Sequence, residues 1–550
     1  MSTFKKMMIM KNIVKTLFVA SLLFGSYGCS LDVEPNDQIA KENFFKSEQD
    51  FQAATAPLYN VVWHSFNDKF YFGLGDGRSY NLFAPYSDYV YPFSDLTETG
   101  LTGPLVEAWR SLYVVIQQSN NTIEAISESS VDDAIKNEYI AEARFMRGTA
   151  YWYIASLWGD AIITTSQSEI ISNPLIPKSP RTDVFEFALR DLEFSAKHLP
   201  ETAGQSGRLT KYAAYGMLSR VYLSYSGLTD GPNSGSRDQE LLDLAKMAAA
   251  KAINEGPYVL MDDYADLFMI ENNNNPESMF ALQWVPNGDW GVNNTHQAYF
   301  ALNSEITGDD AAWGAWTRAS YDVLLEYEKN DLRREATWMA DGDFYPEINK
   351  ANGGYLVEHE NTYVNVKKGV VGSNKDNPAT TRMNSGLNTY MLRLGEVYLN
   401  YAEAVLGNNA STSDATALMY VNELRERAGL DPKSSLTFED ILHERRVELA
   451  MEGQFWYDLV RWSYYEQQEV INYIDNQDRA TILPFTYNSE TNTVTIDETV
   501  DATTRAVGDA DASIFFLPYP ESEVVQNPLL REEAVPYEFT EERITDELFQ

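Results

Sequence analysis

The stretch from His443 to Trp462 constrains this chain more than any other. It reads His443-Glu444-Arg445-Arg446-Val447-Glu448-Leu449-Ala450-Met451-Glu452-Gly453 and continues through Phe455, Trp456, Asp458, Leu459, Val460, Arg461 and Trp462. The pattern is helical, yet charged residues that should face water are interleaved with large apolar ones that should not. Phe455, Trp456, Leu459 and Val460 make a core face. Arg445 with Glu448, and Asp458 with Arg461, are spaced to pair at i, i+3. The charges are therefore expected to knit this helix to its neighbours in a buried or half-buried network. Such a network fixes one packing more than it adds raw stability. His443-Glu444 opens like a metalloprotease helix, but the second histidine would have to stand at Val447. A zinc pair on one helical face cannot form.

Helical patterns flank this stretch and recur earlier. In 131–158 the residues Ile135, Tyr139, Ala143, Met146, Ala150, Tyr153 and Leu157 recur at three- and four-residue steps, and Gly159 ends the run as a C′ glycine should. Similar stripes predict helices over 104–129, over 182–199 with Thr182 as cap, after the cap Thr210, and over 239–255. Others end near Gly407, follow a cap at Ser413, and open on a Thr437/Asp440 capping box. One further helix is expected within 320–339. Two stretches fit no period. Residues 67–103 are crowded with Tyr, Phe, Gly, Pro and Asp and read as a long structured loop, which in a compact domain is usually functional. Residues 256–386 break into short strand-like pieces such as Met279–Val285. Gly73-Leu74-Gly75-Asp76-Gly77 lacks the spacing and the following Lys of a phosphate loop.

The fold class expected is mainly α, with helix pairs of TPR-like length forming a scaffold over 104–255 and 387–470. The loop- and short-strand-rich regions 67–103 and 256–386 would carry a ligand site, and 471–550 forms an irregular tail. No 34-residue consensus repeats visibly.

A net charge of −39, from 42 basic and 81 acidic residues, leaves no basic face for nucleic acid. With so many acids, a pair of carboxylates carries no information by itself. The acid-rich loops leave room for a structural calcium ion, but no metal ligand set and no cofactor motif is visible. Cys29 is the one cysteine, so no internal disulfide and no cysteine-based zinc site can form. Its position is informative. Lys5, Lys6, Lys11 and Lys15 form a basic region, and Thr16–Gly25 is an apolar run too short to span a bilayer. Met10 offers a second start. Residues 1–28 read as a lipoprotein signal with Gly25-Ser26-Tyr27-Gly28 as a loose lipobox, Cys29 as the lipidated residue, and 29–43 as a polar tether. The lipid would be the chain's membrane attachment.

Several stretches, taken in order, resemble one family, the SusD/RagB outer-membrane lipoproteins. These are Glu142-Ala143-Arg144-Phe145-Met146-Arg147-Gly148 with Trp158-Gly159-Asp160, Gly207-Arg208-Leu209-Thr210, Leu392-Arg393-Leu394-Gly395-Glu396-Val397-Tyr398-Leu399, and Asn422-Glu423-Leu424-Arg425-Glu426-Arg427. The stretch from His443 follows, then Phe516-Leu517-Pro518-Tyr519-Pro520 with Asn527-Pro528. Tyr519 stands where Ile is usual. The resemblance implies a single domain over 44–550. It implies a surface-exposed, lipid-anchored, non-catalytic protein of the outer membrane. Such a protein captures oligosaccharide and hands it to a SusC-type TonB-dependent barrel. A peptide-binding lid, as on the RagB side of the family, and a surface glycoside hydrolase with two carboxylates ~5–10 Å apart remain alternatives.

The family's sugar site is made by loops, so no residue carries over from the motifs. Sugars stack C–H faces on aromatic rings and need polar partners for their hydroxyls. Composition then selects Asp76, Arg78, Tyr80, Asn81 and Tyr86 in the first irregular stretch. In the second it selects Trp284, Trp290, Trp313 and Trp316, although each Trp suits core packing equally well. Trp109, Trp152, Trp158, Trp456 and Trp462 lie on helices and are assigned to the core.

Overall fold

Eleven helices of eight or more residues make up most of the regular structure among the described residues. They are α1 (Glu48–Thr55), α2 (Gly103–Ser127), α3 (Asp133–Leu157), α4 (Arg181–His198), α5 (Lys211–Ser226), α6 (Gln239–Glu255), α7 (Leu394–Leu406), α8 (Ala415–Arg427), α9 (Phe438–Glu448), α10 (Phe455–Ser463) and α11 (Gln467–Asp475). The computed structural model describes residues 45–550 except 230, 287–289, 309–311, 359–362, 500 and 550. The signal, Cys29 and the tether lie outside the described residues.

From α2 onward each long helix packs on the next, α2 on α3, α3 on α4, α4 on α5 and α5 on α6. The array does not stop at α6. Helix α7 packs directly on α6, although residues 256–393 intervene in sequence. The chain leaves the array, returns through the antiparallel pair β2 (Ser278–Leu282) and β6 (Thr389–Arg393), and resumes. The excursion supplies three strands of a small antiparallel sheet and the earlier irregular stretch the fourth: β1 (Leu82–Phe83), β3 (Arg318–Ala319), β5 (Asn365–Val366) and β4 (Trp338–Met339), in that spatial order. The tail adds two two-stranded pieces, β8 (Phe485–Asn488) with β9 (Thr493–Ile496), and β7 (Thr481–Ile482) with β10 (Thr503–Thr504). The mainly helical class holds.

The caps expected at Thr210 and Thr437 are present, the latter in a full capping box with Asp440. Elsewhere neighbouring residues take the role. The cap position of α4 is Pro180 rather than Thr182, which lies inside the first turn. The α8 cap is Asp414 rather than Ser413, its carboxylate accepting from two backbone N–H groups. Residues 320–339 hold two short helices, Tyr321–Glu326 and Arg333–Thr337, instead of one.

The network expected around α9 is buried and larger than two pairs. Glu448 is fully buried and accepts from Arg393 at 2.7 Å, Arg333 at 3.1 Å, and Arg427. Burial alone would raise its pKa, but the three guanidiniums hold the carboxyl far below the usual range. Arg445 does not use Glu448. It reaches Asp458 at 2.9 Å and donates to Asn400 at 2.7 Å. Asp458 and Arg461 do pair, at 3.0 Å, and Arg461 also clamps Glu403. The apolar face of Phe455, Trp456, Leu459 and Val460 is buried, as are Trp109, Trp152 and Trp158, while Trp462 is half-buried.

The stretch expected as a loop is wound. Phe66–Phe70 and Gly73–Gly77 form wide π-type turns with i→i+5 bonds, which is why no 3.6-residue period showed. The glycines allow backbone to meet backbone, since a Cβ on Gly75 would lie 2.3 Å from the Cα of Gly453.

Candidate functional site

The small sheet builds the site. β1 and β3 pair antiparallel, with Leu82 opposite Ala319 and Phe83 opposite Arg318. Tyr86 leaves just after β1 and Trp316 stands just before β3, so the register brings them together. Their rings meet edge to face with centroids 4.9 Å apart, and they are 72% and 51% exposed. Trp316 ends the turn Gly314–Trp316 and Arg318 opens β3 two residues later. The Arg318 guanidinium lies over Trp316 at 4.8 Å and over Tyr363 at 3.4 Å. Tyr363 is in place because it just precedes β5, the strand on the other side of β3.

Trp313 is set by the turn Gly314–Trp316. Gly314 lies against the Phe300 carbonyl, where a Cβ would come within 2.2 Å, so this turn sits flat on the short helix His296–Phe300. Trp313 leans on Tyr299 at 5.7 Å, carries the Arg382 guanidinium at 4.6 Å, and is 45% exposed. The Tyr299 hydroxyl donates to Asp68 at 3.2 Å, and Thr295 donates to the same oxygen at 2.5 Å. His64, four residues before Asp68, meets Trp290 edge to face at 4.9 Å. Two groups of rings result: Trp290 on His64 and Trp313 on Tyr299, both beside the segment 64–68, and Trp316 with Tyr86 and Tyr363, three residues along the chain from Trp313.

Charge states around these rings follow from surroundings. Burial pulls the Lys69 ammonium down, but the Asp68 carboxylate at 3.3 Å and the Tyr89 ring outweigh it and hold its pKa above the usual value. Burial lowers the His64 imidazole, with Asp68 opposing, which favours the neutral ring. Burial and Asp68 together raise the Tyr299 hydroxyl. The two groups offer exposed flat rings bordered by polar groups. They suit a ligand with apolar faces and many hydroxyls, held by stacking and hydrogen bonds. Among the described residues no three His, Cys, Asp or Glu side chains converge to hold a metal ion.

Four of the nine residues selected from the sequence are exposed among these rings: Tyr86, Trp290, Trp313 and Trp316. The other five are buried, and their polar groups serve the scaffold. Asp76 accepts from the backbone N–H of Met451 and of Gly453, each at 2.8 Å, and from Asn81 at 3.2 Å. Arg78 pairs with Glu98 at 2.6 Å, donates to the Ile514 carbonyl and lies over Trp456. Asn81 accepts from Arg446 at 2.9 Å. Trp284 is 5% exposed and donates to the Thr389 hydroxyl at 2.9 Å. Tyr80 is 5% exposed, carries the Arg479 guanidinium at 5.2 Å and forms part of the wall of a cavity that Arg318 also lines. Asp76, Arg78, Asn81 and Trp284 are thus corrected to structural roles, since a sugar ring cannot reach a side chain enclosed by protein. The sequence reading missed Tyr363, Arg318, Tyr299 and Arg382. The Trp-x-Arg spacing at 316–318 was a usable signal for one of them.

The model of the SusD family matches residues 236–536, and a second, described as starch-binding associating with outer membrane, matches residues 31–223. A SusD-like protein of Bacteroides ovatus is 39% identical, the match covering 97% of this chain and 99% of that one. The starch-binding protein SusD of Bacteroides thetaiotaomicron is 24% identical over 59% of this chain and 64% of its own. A crystal structure with xylogluco-oligosaccharide is 39% identical and superposes with a TM-score of 0.83, covering 89% of this chain and all of that one. By both family matches and by identity across nearly its whole length, this chain belongs to the SusD family.

Proposed function

We propose that this protein is a non-catalytic glycan-binding protein that captures an oligosaccharide on the platform of exposed rings. One observation carries the reading: Trp316 and Tyr86 stand exposed with their rings in contact, and Trp313 stands exposed at the start of the same short turn. Large exposed rings without a packing role favour a ligand. The relative at 39% identity with xylogluco-oligosaccharide supports a β-linked glucan, whose ribbon-like chain presents successive flat faces. The wider role follows from the family and from the N-terminus. The chain would be lipidated at Cys29, stand on the outside of the outer membrane, and deliver its ligand to a SusC-type TonB-dependent barrel. Among the described residues no helix is long and apolar enough to cross a membrane, so attachment would rest on the lipid.

The test is calorimetry against xyloglucan oligosaccharides, cellohexaose, laminarin and maltoheptaose, with an assay for new reducing ends. Retention of a β-glucan without cleavage is expected, and its loss in the Trp313→Ala/Trp316→Ala double variant. Cleavage, indifference to every glycan, or full affinity in the double variant would overturn the reading.

A further inference from the structure

Beside the exposed rings, sharing Arg318 and Tyr363 with them, lies a cavity of about 400 Å³, within the range of small-ligand sites. Its walls come from two distant parts of the chain. One is the β1–β3 edge, with Phe83, Arg318 and Tyr321. The other is the tail, with Thr481, Phe485 and Thr503. Arg318 belongs to both places, because the guanidinium that lies over Trp316 and Tyr363 also lines the cavity. Tyr363 belongs to both as well, so the cavity borders the cluster of Trp316, Arg318 and Tyr363.

The lining is more mixed than the rings beside it. The rings of Tyr80, Phe83 and Phe485 give apolar faces, the hydroxyls of Ser320 and Thr503 can donate or accept, and the carboxylates of Asp497 and Asp501 accept only. A sugar ring has this same division, with C–H faces and a rim of hydroxyls. A linear glucan lying on the exposed rings would pass over the opening without filling it. A chain carrying a sugar side group would not.

We propose that this cavity is a branch subsite, taking a pentose or hexose side group of a decorated β-glucan whose backbone lies along Trp313, Trp316 and Tyr86. The inference rests on the glycan reading above and adds the class of ligand: branched chains are preferred over linear ones. Without the tail segment 481–503 one wall of the cavity would be missing, which gives this segment a role beyond covering the sheet.

The test compares cellohexaose with a xylose-branched gluco-oligosaccharide of equal backbone length, by calorimetry on the full chain. The branched ligand is expected to bind at least about 10-fold tighter, the equivalent of ~1.4 kcal/mol. Thr503→Trp, which fills the cavity from the exposed strand β10, should bring the two ligands to within about 3-fold while leaving cellohexaose binding unchanged. Asp501→Ala, at an exposed position, should weaken only the branched ligand and guards against misfolding of the first variant. Equal wild-type affinity for both ligands, or an unchanged ratio in both variants, overturns the subsite and leaves the platform standing. Failure of the wild type to bind either ligand overturns the platform and the subsite together.

Discussion

Two regions of this molecule look alike in composition and do opposite things. Around α9 and α10, most arginines, carboxylates and tryptophans are packed away from solvent; Glu448, Arg333 and Arg393 are each at most 1% exposed. Along the platform, the same residue types stand in solvent, with Arg318 stacked between Trp316 and Tyr363. The difference lies in what holds them. The buried charges are held by one another, so each is indispensable to the packing. The exposed rings are held by backbone, through strand register and a flat turn, and their side chains remain free for a ligand. The stretches that mark the family are architecture, and the exposed rings proposed to meet a ligand lie where no family motif runs.

This contrast can be broken by mutation. The largest effect is expected at Glu448→Ala, which takes the carboxylate shared by Arg393, Arg427 and Arg333 out of the buried network, leaves Glu277, Glu452, Asp331 and Glu444 to balance three guanidiniums, and should cost about 3–5 kcal/mol by denaturant unfolding. Glycan affinity of the folded fraction should not change, and a selective loss of affinity would blur the division. Next comes acid sensitivity. Burial alone would raise the Glu403 carboxyl, but Arg461 and Arg237 hold it down to about 2. A folded pKa below the unfolded value, ~4.3, stabilises fully above that value and is lost as pH falls towards 2. Stability should be flat from this group between pH 6 and 8 and fall below about pH 4, by roughly 3 kcal/mol in all. Glu403→Gln should start lower and show a shallower acid limb in pH-dependent unfolding. Trp316→Ala should then weaken glycan binding about 10-fold, as loss of a stacking face worth ~1 kcal/mol or more implies. Its unfolding free energy should stay within about 0.5 kcal/mol of wild type. The smallest effect is expected at Tyr86→Ala, a loss of about 3-fold in affinity, because Trp316 still offers its face.

Much of the scaffold is legible in the sequence, since helices that bury one stripe must repeat it, as Ile135 to Leu157 do. The burial of the His443–Trp462 charges is legible too, because their spacing left them no common wet face. Their partners are not, since Arg333, Arg393 and Arg427 come from other parts of the chain. The site is half legible. Tyr86, Trp290, Trp313 and Trp316 stand out as aromatics in stretches without a period. Asp76 fails as a candidate for a physical reason invisible in one dimension: Gly75 presses on Gly453, and this contact delivers the carboxylate to the backbone of the motif stretch itself. Tyr363 and Arg318 become neighbours only through β3–β5 pairing, which two-residue strands cannot announce.

The direct contact of α6 with α7 has a consequence for how the chain comes off the ribosome. Helices α2 to α6 can stack as they are made, because each meets its neighbour within a short stretch of chain. The last face of α6 must then wait, apolar and uncovered, while residues 256–393 are synthesised. At ~5–20 residues per second that delay lasts on the order of ten seconds. The excursion would thus act as a timer on the closing of the core.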